Sequence, residues 1–174
     1  MFFLVFKTDI YVTIDQRLLH ENIKMPVITT DILLNRVKRD DAYEWLCNFQ
    51  HHRQFLYSTF SIVSDNDISE DKLILSYEGG YKNRQMEYVL LERDENHGGR
   101  RIKIAVSGKR TNGIVRYSLR TLKPSSNTML TIHMDYHSKG VLDWMINKMT
   151  LQKDLEEHWK RVAQAIENIM PKSQ

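Results

Sequence analysis

Through the middle of the chain apolar and polar residues alternate with a period of two, the pattern of strands with one buried face and one wet face. The clearest runs are KLILSY (72–77), RQMEYVLLER (84–93), RRIKIAVSG (100–108), IVRYSLRTL (114–122) and TMLTIHMDYH (128–137). PVITTDILLNR (26–36) and TFSIVS (59–64) complete a set of about seven predicted strands. Turn-rich segments separate them, among them Glu78-Gly79-Gly80, DENHGG, KRTNG and KPSSN. Connections this short make neighbouring strands antiparallel. Between the first two runs the spacing turns helical: AYEWLCNF puts Ala42, Trp45, Leu46 and Phe49 on one side, with Asp40 or Asp41 placed to cap the helix start. QHHRQFLY (50–57) reads as a second short helix or turn, and the chain closes with one long helix over 140–170.

Period two then assigns faces. Ile102, Ile104, Val106, Val115, Tyr117, Leu119, Leu130, Ile132, Met134 and Tyr136 point inward, while Lys103, Arg116, Ser118, Arg120, Thr131, His133, Asp135 and His137 point outward. Along the terminal helix Leu151, Leu155, Trp159, Val162, Ile166 and Ile169 form one stripe, but Val141, Leu142, Trp144, Met145, Ile146 and Met149 wrap almost all the way round. The first two turns are therefore expected to be buried on several sides or to stand at a pocket rim. Strands followed by one long helix predict a curved antiparallel sheet wrapped around that helix, with a pocket between the two.

The length of 174 residues suits one domain with a single core. Residues 1–24 match the later pattern poorly and read as an N-terminal extension, an extra strand or arm, ahead of a domain over 25–172. A hydrophobic fraction of 41% with 27% charged residues is that of a globular protein. A lone cysteine, Cys47, excludes an internal disulfide and fits a cytoplasmic setting. No apolar run is long enough to span a bilayer, and MFFLVF is too short for a signal sequence, so integral membrane association is not expected. A net charge of +3 is too mild to imply nucleic-acid binding.

The order of strand, two short helices, six strands and a long helix, carried by ILLNRVKRDDAYEWLCNF and by the segment from Thr128 through Met170, resembles the START-like or SRPBCC superfamily of helix-grip proteins, which includes polyketide cyclase/dehydrase-like members. The resemblance implies an α+β fold in which about seven antiparallel strands grip the last helix. It also implies a cavity that binds lipids, sterols, polyketides or other apolar molecules; no cofactor is expected for this chain. Phe55-Leu56-Tyr57 stands where that family often has an aromatic-proline pair, and no quinone-binding or cyclase-specific residue set is present. The residues expected to line the cavity are Tyr77, Tyr88, Ile104, Val115, Tyr117, Leu119, Ile132, Met134, Tyr136, Leu142, Met145 and Met149. Binding or carriage of a hydrophobic small molecule is the first reading. A cyclase- or dehydrase-like enzyme in the same cavity is the alternative, and a protein- or nucleic-acid-interaction module using a basic outer face is the third.

Other clusters carry candidate chemistry. His133-x-Asp135-x-His137 shares one strand face about 7 Å apart, a set able to hold zinc or iron, but an outward polar edge is the simpler reading and no metal is expected. A register slip of one residue would turn all three inward. His51-His52-Arg53 reads as a solvated turn, and Cys47 as a buried, inert thiol. Lys103, Arg116 and Arg120, with Lys109 and Arg110 at a hairpin tip, form a modest basic patch tempered by Glu87 and Glu92.

Overall fold

Thirteen residues, Asn127–Lys139, form the longest strand, and the sheet is organised around it. The computed structural model describes residues 3–5, 11–13, 22–24, 27–78, 84–96, 99–123 and 127–170, with side chains from Val27 onward except those of Leu142, Ile146 and Asn147. Strands β1 (Phe3–Val5) and β2 (Tyr11–Thr13) pair with each other. The main sheet contains β3 (Asn22–Lys24), β4 (Ile28–Leu34), β5 (Phe60–Ser61), β6 (Lys72–Tyr77), β7 (Arg84–Asp94), β8 (Arg100–Gly108), β9 (Thr111–Leu122) and β10 (Asn127–Lys139). Its order is β3-β10-β9-β8-β7-β6-β5, and every pairing is antiparallel. One edge of β10 is shared: β4 covers residues 128–134 and β3 covers 137–139.

Helix α1 (Arg39–Cys47) and a 3₁₀ segment (Phe49–Phe55) follow β4. Asp40 and Asp41 do not cap α1: Lys38 takes that place without a side-chain hydrogen bond, and both acids lie in the first turn, where the positive end of the helix favours them. The run expected as a strand over 59–64 shrinks to Phe60–Ser61. Beyond it Ser64 and Asp67 bond reciprocally to each other's backbone N–H groups, closing a short 3₁₀ turn that takes the chain out of the ladder.

The long C-terminal helix is divided into α2 (Val141–Ile146), a π turn (Asn147–Leu151) and α3 (Gln152–Ile169). The extra residue of a π turn rotates everything after it relative to what precedes it. This accounts for the change of apolar pattern near 150: one stripe of α3 enters the sheet, whereas Met145 and Met149 emerge at 38% and 75% exposure. Ile169, expected to extend the stripe, is 53% exposed at the last turn.

A β-bulge lies between Leu90 and Glu92. Strict alternation from Met86 and Tyr88 would turn Glu92 inward; the bulge sends it outward, where it accepts from Lys103 Nζ at 2.6 Å. On β9, Gly113 lies beneath Tyr136: an added Cβ would come within 2.4 Å of the Asp135 carbonyl oxygen and 2.7 Å of the Tyr136 ring. Gly113→Ala is therefore expected to destabilise by about 1–3 kcal/mol by overpacking. Urea denaturation with fluorescence detection checks this, and an unchanged midpoint would mean that Tyr136 shifts freely.

Candidate ligand-binding site

The inner face of the sheet carries Met86 and Tyr88 from β7, Ile102, Ile104 and Val106 from β8, Val115, Tyr117 and Leu119 from β9, and Leu130, Ile132, Met134 and Tyr136 from β10, all buried. Against it α3 lays Leu155, His158, Trp159, Val162 and Ile166. Trp159 is the hub, with its ring centroid 5.0 Å from Tyr117, 5.1 Å from His158 and 5.9 Å from His52. His52 stacks on Trp45 at 5.3 Å and meets the edge of Phe49, while His158 packs on Phe60.

Of the residues singled out from the sequence, Tyr77, Tyr88, Ile104, Val115, Tyr117, Leu119, Ile132, Met134 and Tyr136 lie buried on the inner face. Met145 and Met149 face solvent instead, because the π turn rotates them away. The Leu142 side chain lies outside the described residues.

The expected chamber is nearly closed. Between sheet and helix the space among the described residues is a void of about 10 Å³, lined by Phe49, His52, Leu73, Leu75, Tyr88, Tyr117, His158 and Trp159. That is room for about one water. The indole and the two imidazoles occupy the volume that the apolar pattern leaves open.

Polar atoms are buried in the surrounding layer. The hydroxyls of Tyr88, Tyr117 and Tyr136, both ring nitrogens of His52, Nδ1 of His158 and Nε1 of Trp159 are buried without a hydrogen-bond partner. The Tyr88 and Tyr136 hydroxyls influence one another without completing a well-formed bond. Burial pushes Tyr88 up to about 12 and raises Tyr117 and Tyr136 well above the ordinary phenol value. Desolvation, with His158 and then His51 adding repulsion, lowers His52 to about 3; desolvation and then Arg161 lower His158 to about 4. All these groups are neutral at pH 7. At the edge of the layer Tyr77 is different: its hydroxyl donates to Asp154 Oδ2 at 2.9 Å, tying β6 to the start of α3.

His52, expected in a solvated turn, is fully buried, and His158 was not foreseen at all. The signals were present. A 3₁₀ segment repeats every three residues, so Phe49, His52 and Phe55 share a face. His158 stands seven residues from both Leu151 and Ala165, on their side of the helix.

The other candidates stay apart from this layer. His133 bonds to Thr29 Oγ1 at 3.2 Å and Asp135 lies 3.8 Å from His137, all three on the outer face. Among the described residues no three His, Cys, Asp or Glu side chains cluster closely enough for a metal ion. Cys47 is buried, and desolvation raises its thiol pKa. Lys103 and Arg116 line an outer groove of about 490 Å³, in which Glu92 neutralises Lys103. No helix among the described residues is long and apolar enough to cross a membrane.

Comparison of structures places this geometry among known ones. The chain is similar to a START superfamily protein from Mycobacterium smegmatis, with 16% identity, a TM-score of 0.55 and coverage of 83% of this chain and 96% of that one. It is similar to norcoclaurine synthase from Thalictrum flavum, whose structure holds dopamine and hydroxybenzaldehyde, with 10% identity, a TM-score of 0.56 and coverage of 95% and 99%. A hypothetical protein from Helicobacter pylori is similar at 10% identity and a TM-score of 0.55, over 83% and 88%. No protein-family model and no curated protein matches the chain.

Proposed function

From the premise that the chain has the START-like helix-grip fold, we propose that it binds a small, largely apolar molecule bearing hydrogen-bonding groups, held between the sheet and α3. One observation carries this reading: unpartnered hydroxyl, imidazole and indole groups are buried in the layer that surrounds a small void inside an otherwise apolar core. Each such group costs about 1–3 kcal/mol when left unsatisfied, so an occupant that bonds to several of them is favoured over an empty core. A pure hydrocarbon offers nothing to these groups, and a charged ligand would meet a site that disfavours charge. A neutral aromatic or polyketide-like molecule with hydroxyl or carbonyl groups fits both requirements. The dopamine and hydroxybenzaldehyde of norcoclaurine synthase are ligands of related character in the same fold. Because the void is so small, entry requires the helix to move away from the sheet, and the π turn is the irregular point that permits it.

The same imidazoles argue for binding over acid–base turnover. A general base works best with a pKa near the working pH, and values of about 3 and 4 make His52 and His158 weak bases at pH 7.

Native mass spectrometry of gently purified protein tests the reading: a small-molecule adduct that extraction removes is the expected result. Wild-type protein carrying water alone, and failing to take up any phenolic or polyketide-like probe, would overturn it. Tyr117→Phe supplies a finer check, expected to weaken ligand binding about tenfold while leaving the free protein as stable or up to about 1 kcal/mol more so, since it deletes a buried hydroxyl without a partner.

A further inference from the structure

Two irregular points of the backbone bracket α2. Gly140, where β10 passes into the helix, has a φ of 113°, a conformation open to glycine and rarely to other residues. The π turn Asn147–Leu151 follows at the other end. Beyond it the start of α3 is pinned, because the Tyr77 hydroxyl on β6 donates to Asp154. Lys148 Nζ lies 5.1 Å from the centre of the Trp144 ring, which links α2 and the π turn into one piece. The outer side of that piece carries the exposed Met145 and Met149, where solvent offers no packing that resists a swing.

A charge pair ties this piece to the sheet. Arg110 Nη1, from the turn between β8 and β9, donates to Asp143 Oδ1 on α2 at 2.7 Å, and the carboxylate side chain is only 12% exposed. The turn itself is fixed on the end of β10: the Lys139 N–H donates to the Arg110 carbonyl oxygen at 3.0 Å and Lys139 Nζ to that of Gly108 at 3.1 Å. Arg110 therefore reaches α2 from a firm support. Tyr136 lies on β10 just before Gly140, its hydroxyl interacts with that of Tyr88, and Tyr88 lines the void. Two phenols thus mark a path from α2 to the void beside Trp159.

We propose that α2 and the π turn form a lid over the entry to the interior, latched by Arg110 on Asp143 and hinged at Gly140 and at the junction with α3. The lid rests on the reading of an interior ligand and adds to it which segment moves, what restrains it and which side chains an incoming molecule meets first. A charge-assisted hydrogen bond to a mostly buried carboxylate holds the lid shut for most of the time, yet it is one contact and breaks in one step. Because Asp154 stays on Tyr77, α3 keeps Trp159 and His158 against the sheet while α2 lifts. Opening uncovers Tyr136 and then Tyr88, so the hydroxyl or carbonyl end of a ligand leads and its apolar body follows.

Hydrogen exchange read by mass spectrometry, on the full chain without ligand, is the test. Arg110→Gln is expected to speed exchange over residues 141–151 about tenfold or more while residues 155–166 of α3 stay within about twofold of wild type. Arg110→Lys keeps the charge and loses the planar fork, so its effect should be intermediate. Asp143 is left in place because it also faces the buried Arg84. Lys103→Gln removes an equivalent ion pair, with Glu92, from the outer face and should leave 141–151 unchanged. Unchanged exchange over 141–151 in the folded Arg110 variants, or equal speeding along α3, overturns the lid. Stopped-flow mixing with naphthol, a fluorescent phenol, then reads entry: association is expected to be about tenfold faster in Arg110→Gln than in wild type. Local loosening with an unchanged association rate overturns the lid as the entry. If exchange behaves as expected but neither protein takes up naphthol or another phenolic probe, the lid stands and the interior-ligand reading falls.

Discussion

Acidification from pH 7 to pH 4 is expected to remove on the order of 5 kcal/mol of stability, most of it through His52 and His158. Both imidazoles are buried among aromatic rings, and their folded pKa values of about 3 and 4 lie below the ordinary 6.5. For a base whose pKa falls on folding, the unfolded chain binds the extra proton, so stability is full above the unfolded value and drains away as pH falls toward the folded one. The window therefore runs from about pH 6.5 down to about pH 4 for His158 and about pH 3 for His52. With two such protons the slope approaches about 2.7 kcal/mol per pH unit, against a typical total stability of about 5–15 kcal/mol. Carboxylates whose pKa is lowered by partners, such as Asp40 beside Arg39, act only below about pH 4.5 and do not blur the upper half of the window. Urea titrations at half-unit pH steps measure the slope, and His158→Gln or His52→Phe should each flatten it by about half. A wild-type stability constant between pH 6.5 and 5 would show that water reaches these imidazoles. Bound ligand that bonds to the neutral imidazoles should deepen the dependence, because it is lost along with them.

Trp159→Ala is expected to cost about 3–5 kcal/mol, the largest loss of any single substitution considered. The indole packs on Tyr117, His158 and His52 together, and its removal joins the existing small void to a space of indole size. A cavity of that shape lined by aromatic rings should accept indole or phenol from solution. Added indole is therefore expected to raise the melting temperature of the variant and not that of the wild-type protein. If the variant loses less than about 1 kcal/mol, the core collapses around the gap and Trp159 is not what keeps the pocket closed. If it loses the full amount and gains nothing from indole, the helix detaches when the plug is removed.

The strands were legible because period two is a local property of a pleated chain. KLILSY and RRIKIAVSG match β6 and β8 residue for residue, and the inner rows of β8, β9 and β10 fall where alternation puts them. Alternation fails where a backbone irregularity changes the count. The bulge near Leu91 moves Glu92 to the outer face beside Lys103, and the π turn at Asn147–Leu151 turns Met145 and Met149 to solvent. The candidate site was half legible. Its phenols lie on strands and obey the alternation, whereas His52 and His158 are polar residues in core positions, and composition alone reads such residues as surface.

By itself the sequence determined the α+β class, the antiparallel order of the strands, the apolar inner layer and the long terminal helix, since each follows from short-range periodicity and turn chemistry. Only the tertiary structure decided that the space under the helix is nearly full and that two neutral imidazoles and an indole fill it. Those facts depend on volumes and distances between elements far apart in the chain, as with His52 and His158. No local pattern encodes such separations; they arise when packing forces particular side chains to share one dry interior.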